Sequence, residues 1–182
     1  MTDFALNWAE YKAGFGDAGA ECWLGLEYMH QLTSSRPYTL RIDLTAFNNA
    51  VRYVKLSTFE VTSEADKYRL LLGSYSGDVS TDEAEDRIDG FLYHNNSQFT
   101  THDDDNDAKT TGSCVTDCNC DRGGFWYKNC ARFNPTALYC DINDCGTMEK
   151  NLHYTSFGGY TASMARVTMM IRPREYVVEW MI

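Results

Sequence analysis

The chain has 182 residues, a length that fits one domain of ordinary size. Its formal net charge of −10 excludes a typical nucleic-acid-binding domain, because phosphate contacts require a basic patch. No apolar run reaches the roughly 20 residues that span a bilayer, so we expect no membrane segment.

The first predicted element is a short helix. Phe4, Trp8 and Tyr11 recur at the spacing of one helical face, and Gly14 follows as a plausible end. The apolar run around Cys22 comes next. We expect this cysteine to be a buried free thiol or to lack a partner that lies outside the chain.

Strand patterns follow the helix. Residues 40–44 alternate apolar and polar side chains, and β-rich runs cover 51–61 and 68–75 with a polar turn between them. A late alternating strand over 167–171 is closed by Pro173. These patterns predict an α+β fold with an antiparallel sheet and short helices.

The composition changes along the chain. We expect a single domain over 1–182, with a sheet-rich part over about 1–75 and a loop-rich part over about 76–165. A returning strand at 166–173 completes it. The loop-rich part carries most of the Gly, Asn, Asp and Cys residues, and long loops in a compact domain are usually functional.

The cysteines indicate an oxidising compartment and therefore a secreted protein. Six of them lie close together between residues 114 and 145, and a cluster of this kind is typical of a disulfide framework. No C-x-x-C pair supports the alternative of a zinc site. The residues alone leave the pairing open among the six that lie close together: Cys114, Cys118, Cys120, Cys130, Cys140 and Cys145.

An acidic loop is the most chemically distinctive segment. Asp103, Asp105 and Asp107 alternate, so their carboxylates can converge on one side of an extended loop. Hard oxygen ligands at this spacing suit Ca²⁺. An EF-hand would require Gly and Glu where Ala108 and Cys114 stand, so this is another kind of site or a solvated acidic loop without metal.

No catalytic motif accompanies the four histidines, which we interpret as structural or surface residues. We therefore predict no enzymatic activity. Asn95 begins an N-x-S sequence, which predicts a glycan if the protein is secreted.

Seven segments, in order and across nearly all of the chain, resemble the fibrinogen C-terminal domain family, which includes ficolins, tachylectins, angiopoietins and fibrinogen itself. The segments are NWAEYKAGFG, CWLGLEYMHQLT, LRIDL, FEVTSEADKYRLLLGSYSGD, FLYHNNSQFTTHDDDND, GGFWYKNC and VTMMIRP. The family's first subdomain would precede the first segment. Without those strands, the main sheet is expected to expose an edge.

The resemblance implies a calcium site. Its side-chain ligands would be Asp105 and Asp107. Backbone carbonyls would come from Lys109 or its neighbour Thr110, and from Thr111 or its neighbour Gly112.

The resemblance also implies a disulfide between Cys114 and Cys130 beside a ligand pocket. Cys118 and Cys120 are similar to an extra C-x-C pair of angiopoietins. Cys140 and Cys145 would close a small loop of their own.

In lectin-like members of the family, the pocket binds acetyl groups beside a cis peptide, which would be Asn129–Cys130 here. Ala131 stands where such members often have His, so one polar group is lost. Phe125 and Trp126 are either pocket walls or core residues. The pocket candidates are Tyr127, Asn129, Cys130, Ala131, Tyr139, Tyr154 and Tyr160.

Two functions remain open. The first is a secreted, calcium-dependent lectin that binds acetylated or sialylated glycans in innate immunity. The alternative is a protein-binding module, either an angiopoietin-like receptor ligand or a matrix or assembly protein without sugar binding. In both cases avidity would come from oligomerisation through regions outside this chain.

Overall fold

The computed structural model describes residues 2–79, 90–117, 123–139, 151–157 and 163–174. Within these ranges lie two α-helices and ten strands. The helices are α1 (Trp8–Ala13) and α2 (Leu26–Ser35). The strands are β1 (Phe15–Gly16), β2 (Cys22–Trp23), β3 (Tyr38–Ala46), β4 (Val51–Leu56), β5 (Phe59–Val61), β6 (Leu70–Leu72), β7 (Tyr75–Gly77), β8 (Phe133–Asn134), β9 (His153–Tyr154) and β10 (Met164–Pro173).

The main sheet has four antiparallel strands in the order β10-β3-β4-β7. Leu40, Ile42 and Leu44 on β3 are buried, while the residues between them are partly exposed. The strand predicted from alternation over 40–44 is therefore confirmed, and so is the late strand that ends at Pro173. β10 forms one edge of the sheet, with β3 as its only strand partner among the described residues.

The predicted hairpin is confirmed as β5 and β6, which pair antiparallel around a 3-10 helix at Glu64–Asp66. The run 51–61 is not one strand, however. β4 joins the main sheet and β5 joins the hairpin. The break falls at Ser57, whose side-chain oxygen accepts hydrogen bonds from both the backbone N–H and the hydroxyl of Ser74.

Helix α1 is defined by its caps. Asn7 accepts from the backbone N–H of Glu10, and the carboxylate of Glu10 accepts from the backbone N–H of Asn7. Gly14 ends the helix with φ of 87°, as predicted. Because the helix begins only at Trp8, Phe4 lies ahead of it and was wrongly placed on its face. No helix in the described part of the chain is long and apolar enough to cross a membrane.

Aromatic rings join the helices to the rest of the core. Tyr11, Trp23, Phe99 and Trp126 pack with ring centroids 5.1–5.9 Å apart. Trp126 has no exposed surface, and its indole N–H donates to the carbonyl of Tyr68 over 2.7 Å. Phe125 is equally buried, so both residues belong to the core, although Trp126 also lines the floor of a groove beside β10.

Cys22 is free and exposed, contrary to the expectation of a buried thiol. It stands on the two-residue strand β2 beside buried Trp23. Neighbouring side chains of a strand point to opposite faces, so burial of the indole turns the thiol outward.

Candidate functional site

The aspartates of the acidic loop divide into two pairs. Asp103 accepts hydrogen bonds from the backbone N–H of Trp8 over 2.9 Å and from the hydroxyl of Thr101 over 2.7 Å. Asp104 forms an ion pair with Lys67, with 2.7 Å between Oδ2 and Nζ. These two side chains therefore attach the loop to the sheet-rich part of the chain.

Asp105 and Asp107 form the second pair. The backbone N–H of Asp107 donates to Asp105 over 3.3 Å. The carboxylate of Asp107 accepts from the backbone N–H groups of Lys109 and Cys114 over 2.8 and 2.7 Å. The ammonium of Lys109 turns away and pairs with Asp117.

Burial raises the pKa of Asp107, and the nearby charge of Asp105 raises it further, although the two backbone hydrogen bonds act in the opposite direction. Two neighbouring carboxylates of this kind favour a bound cation that relieves their repulsion.

The donor set of this loop fits a calcium ion. Among the described residues, no group of three or more His, Cys, Asp or Glu side chains converges on one point. A site here would therefore combine the carboxylates of Asp105 and Asp107 with main-chain carbonyls, as predicted for Lys109 and Thr111. Carboxylate and main-chain carbonyl oxygens are both ligands that suit Ca²⁺. The ligand set itself stays a prediction.

Cys114 and Cys130 form the disulfide that the resemblance implied. The Asn129–Cys130 peptide is cis, also as predicted. Cys114 stands at the end of the acidic loop, so the disulfide connects this loop covalently to the segment around Asn129. The backbone N–H of Cys114 also donates to Asp107.

His94 holds both ends of that segment. Its Nδ1 donates to the carbonyl of Trp126 over 2.7 Å. Its Nε2 accepts from the backbone N–H groups of Arg132 and Phe133, each over 3.2 Å. Burial lowers the pKa of His94 to about 3, so the ring is neutral in the folded domain, and one tautomer satisfies all three contacts.

A cluster of one aromatic ring and two cations covers this segment on the outside. The hydroxyl of Tyr93 donates to the carbonyl of Asn129 over 3.0 Å and accepts from the amide of Asn129 over 3.2 Å. Arg132 and Lys128 lie 4.6 and 5.4 Å from the centre of the Tyr93 ring. We call Tyr93, Lys128, Asn129 and Arg132 the disulfide-side surface.

Two of the predicted pocket tyrosines are instead core residues. Tyr127 is buried, and its hydroxyl donates to the carbonyl of Gly123 over 2.8 Å. Tyr154 has no exposed surface and packs on Phe133, and its hydroxyl accepts from the amide of Phe91. The prediction that Tyr127 and Tyr154 line an accessible pocket does not fit this structure, because the hydroxyl of each is bonded to the backbone inside the domain.

The other predicted pocket residues do not share one cavity. Ala131 is buried, whereas Tyr139 is 38% exposed and lines a groove beside β10. Asn129 and Cys130 lie on or near the disulfide-side surface and do not line that groove. Asn95, predicted to carry a glycan, is half-buried, and its side-chain oxygen accepts from the amide of Leu72. Outside the described residues lie Cys118, Cys120, Cys140, Cys145 and Tyr160.

Tyr93, Lys128 and Arg132 were missed by the sequence analysis. Their spacing shows no periodicity, and the two cations come from one loop while the ring comes from a 3-10 helix at Leu92–His94. Two of the segments that carry the family resemblance hold Tyr93 and Lys128, FLYHNNSQFTTHDDDND and GGFWYKNC, but neither assigned these side chains a role.

Comparisons with known proteins agree with this geometry. Residues 1–174 match the family described as fibrinogen beta and gamma chains, C-terminal globular domain. The chain is 34% identical to angiopoietin-related protein 7 of Bos taurus, over 97% of this chain and 48% of that protein. It is 35% identical to tenascin of Gallus gallus, over 96% of this chain and 9% of that protein. The chain thus spans about half the length of the angiopoietin-related proteins it matches.

Solved structures share the fold. The fibrinogen-like globe domain of human ANGPTL2 superposes with a TM-score of 0.81 at 32% identity, over 94% of this chain and 74% of that one. The lamprey fibrin D-dimer, complexed with the peptide ligand Gly-His-Arg-Pro-amide, superposes with a TM-score of 0.79 at 28% identity. The match covers 98% of this chain and 60% of that one.

A sheet with short helices, the Cys114–Cys130 disulfide and the match over residues 1–174 agree with one another. The chain belongs to the family of fibrinogen C-terminal globular domains, which are non-enzymatic, and it is related to angiopoietin-related proteins and tenascins.

Proposed function

We propose that this chain is an extracellular module that binds another protein through the disulfide-side surface. The similarity to angiopoietin-related proteins and tenascins supports this function. The similarity to a fibrin D-dimer that binds a peptide ligand also supports it. A cysteine-rich chain with a Cys114–Cys130 disulfide suits an oxidising compartment outside the cell.

The observation that carries the proposal is the chemistry of the disulfide-side surface. Lys128 and Asn129 are exposed, and Arg132 and Tyr93 are partly exposed. Cations stacked on a tyrosine ring offer a rigid contact with both apolar and charged character, and Tyr and Arg are enriched at the centres of protein interfaces. A partner with carboxylates next to an apolar side chain would fit this surface.

The lectin function, with its role in innate immunity, finds no support in the relatives reported above. The side chains do not favour it either. An acetyl-binding pocket needs accessible polar and aromatic walls, whereas Tyr127, Ala131 and Tyr154 are all buried. We therefore favour the protein-binding alternative.

Calcium would have an ordering role in this function. Held by Asp105, Asp107 and the carbonyls of Lys109 and Thr111, it would fix the acidic loop without touching the partner. The hydrogen bond from the backbone N–H of Cys114 to Asp107 would connect the ordered loop to Cys114. The disulfide to Cys130 would in turn hold the disulfide-side surface in place. In this proposal, the region 76–165 is the recognition half of the domain, and oligomerisation through other parts of the protein supplies avidity.

The test is binding of the fluorescently tagged protein to cultured cells in calcium, measured by flow cytometry. We expect binding to be lost after brief protease treatment of the cells. It should persist after glycosidase treatment and in excess N-acetylglucosamine. The double variant Lys128→Glu with Arg132→Glu should bind at least tenfold more weakly, in the range typical of interface hot spots.

Lys55→Glu is the matched control, since it reverses one exposed charge on the main sheet, away from the disulfide. It should bind like the wild type. Binding that survives protease but is blocked by N-acetylglucosamine would restore the lectin function. Equal binding by the double variant and the control would remove the disulfide-side surface from the interface.

A further inference from the structure

The outer face of the main sheet, opposite its buried residues, carries a group of cations. Lys55 on β4 is the strand partner of Arg41 on β3, and Met170 on β10 lies on the other side of Arg41. Arg166 and Arg172 share this face of β10 with Met170, because side chains two or four positions apart along a strand point the same way. Three of the cations are exposed, and Arg41 is partly exposed. Four positive charges therefore stand on one face of three adjacent strands.

The carboxylates on and beside this face already have partners. Asp43 on β3 accepts a hydrogen bond from the guanidinium of Arg41 over 2.7 Å. Asp78 follows β7, and its carboxylate accepts from the backbone N–H of Tyr53 over 2.6 Å. The strands β3, β4, β7 and β10 contain no acidic residue besides Asp43. The face therefore keeps an excess of positive charge, which is complementary to an anionic partner, although the chain as a whole is acidic.

Tyr53 holds two of these cations in place. The guanidinium carbon of Arg41 lies 4.4 Å from the centre of the Tyr53 ring, and the ammonium of Lys55 lies 5.4 Å from it. Contacts between a cation and an aromatic ring restrict the motion of long basic side chains. Less side-chain entropy is then lost when an anion binds, so the two cations are preorganised for such a ligand.

Most of the other side chains on this face carry hydroxyl groups. Two large apolar side chains there are exposed, but Met170 lies on β10 and Val51 on β4, with β3 between them. The face thus lacks the central apolar anchor of a typical protein interface. It offers guanidinium, ammonium and hydroxyl donors, which suit anionic oxygens. The hydroxyl-bearing residues are Thr39, Thr45, Thr168 and Ser76.

The cations extend over much of the length of the sheet. Arg166 and Arg172 are six positions apart on β10, which corresponds to about 20 Å along a strand. A single small anion cannot contact both, whereas a linear polymer with repeated anionic groups can. The strands that the family resemblance places before this chain are expected at the edge of β10. They would lie beside β10 and widen this face, because strands of one sheet lie side by side.

We propose that the outer face of the main sheet binds a sulfated polysaccharide. The sulfate groups would contact Arg41, Lys55, Arg166 and Arg172, and the sugar hydroxyls would bind the threonines between them. This ligand fits the extracellular location proposed above, but its site shares no residue with the disulfide-side surface. Failure of one proposal therefore leaves the other unaffected.

The test measures binding of a heparin octasaccharide to the whole protein by calorimetry. The same octasaccharide without its sulfates and a polyglutamate peptide of similar length are the comparison ligands. We expect the sulfated chain to bind and each comparison ligand to bind about tenfold more weakly or not at all, since both lack sulfate oxygens for the arginines. Binding should be the same in calcium and in EDTA, because the sheet is remote from the acidic loop in the fold.

Lys55→Gln with Arg172→Gln should weaken heparin binding about tenfold, since two charged contacts are lost. Arg166→Gln is an independent second variant that should also weaken it. All three side chains are exposed, so Tm without ligand should match the wild type. The matched control is Lys128→Gln with Arg132→Gln, which removes the same charge from the disulfide-side surface and should bind heparin within about twofold of the wild type.

The proposal would be overturned by absence of heparin binding to the wild type, or by equal binding of polyglutamate, which would indicate an acidic protein as the ligand. It would also be overturned if the control variant lost heparin binding and the sheet variants kept it. In the cell assay described above, an excess of free heparin would occupy this face, so that the assay reports the disulfide-side surface alone.

Discussion

The Nδ1 of His94 and the carbonyl oxygen of Trp126 lie 2.7 Å apart, and this bond connects a buried histidine to the start of the segment that carries the disulfide. Since a carbonyl only accepts hydrogen bonds, Nδ1 carries the proton. The acceptor Nε2 then receives two backbone N–H groups from the far end of the segment. A second proton would break the contacts at Nε2.

His94 should therefore make the stability of the domain depend on pH. Its pKa is lowered from 6.5 to about 3 by burial. Between these values the unfolded chain binds one more proton at this residue, so the free energy of unfolding falls as the pH drops. The slope from this one group is at most about 1.4 kcal/mol per pH unit.

Urea unfolding between pH 7 and pH 4 measures this slope. His94→Asn should lower stability at pH 7 and flatten the dependence on pH, whereas His102→Asn, at an exposed position, should leave the wild-type slope. Parallel curves for the wild type and His94→Asn would show that other groups cause the dependence.

Replacing the loop aspartates one at a time should show which of them bind calcium and which only hold the loop in place. We expect calcium to raise the Tm of the wild type, and Asp105→Asn and Asp107→Asn should each abolish that rise. At a calcium concentration a hundredfold above Kd, that rise corresponds to about 2.7 kcal/mol. Differential scanning fluorimetry with calcium and with EDTA is the measurement.

Asp104→Asn is the control, because Asp104 pairs with Lys67 at the surface. It should cost under about 1 kcal/mol and keep the full response to calcium. A normal calcium response in both Asp105→Asn and Asp107→Asn would contradict the assignment.

The disulfide should contribute to stability and to calcium binding together. The Cys114→Ala, Cys130→Ala double variant opens a loop with a sequence separation of 16, and a loop of this length is worth about 3 kcal/mol in the unfolded chain. Guanidinium unfolding tests the loss of stability. Calorimetry should show weaker calcium binding, because the amide of residue 114 no longer holds Asp107 as firmly. Cys22→Ser, at the exposed free thiol, should change neither quantity.

Gly90 should tolerate no side chain. A Cβ there would lie 2.7 Å from the ring of buried Tyr154, so Gly90→Ala should cost about 1–3 kcal/mol, as overpacked cores do. Gly19→Ala is the matched change, since its Cβ would meet only Asp17 at 3.4 Å. Thermal unfolding should give a clearly lower Tm for the first variant alone; equal values would mean that the ring of Tyr154 can move aside.

The regular part of the fold was predictable because its signals are local. The alternation at Leu40, Ile42 and Leu44 predicts which face of β3 is buried. The glycine at position 14 predicts the end of α1. The break between β4 and β5 was not visible, since it depends on the contact of Ser57 with Ser74 in the turn between β6 and β7.

The candidate site was predictable only in part, and mostly through the family resemblance. Nothing local distinguishes Asp103 from Asp105; the difference is that Trp8, 95 residues away, donates to Asp103. In the same way, the sequence does not show whether Tyr154 lines a pocket or lies in the core. The contacts of its ring with Gly90 and Phe133 place it in the core. Long-range packing decides both cases.

The face of the main sheet opposite its buried residues carries more positive than negative charge on β3, β4 and β10. Arg41, Lys55, Arg166 and Arg172 lie on that face with one carboxylate, Asp43, which pairs with Arg41, although the whole chain carries a net charge of −10. An acidic molecule that diffuses toward this face is therefore attracted to it. Encounters become oriented, and their rate, more than the lifetime of the complex, should fall as ionic strength rises.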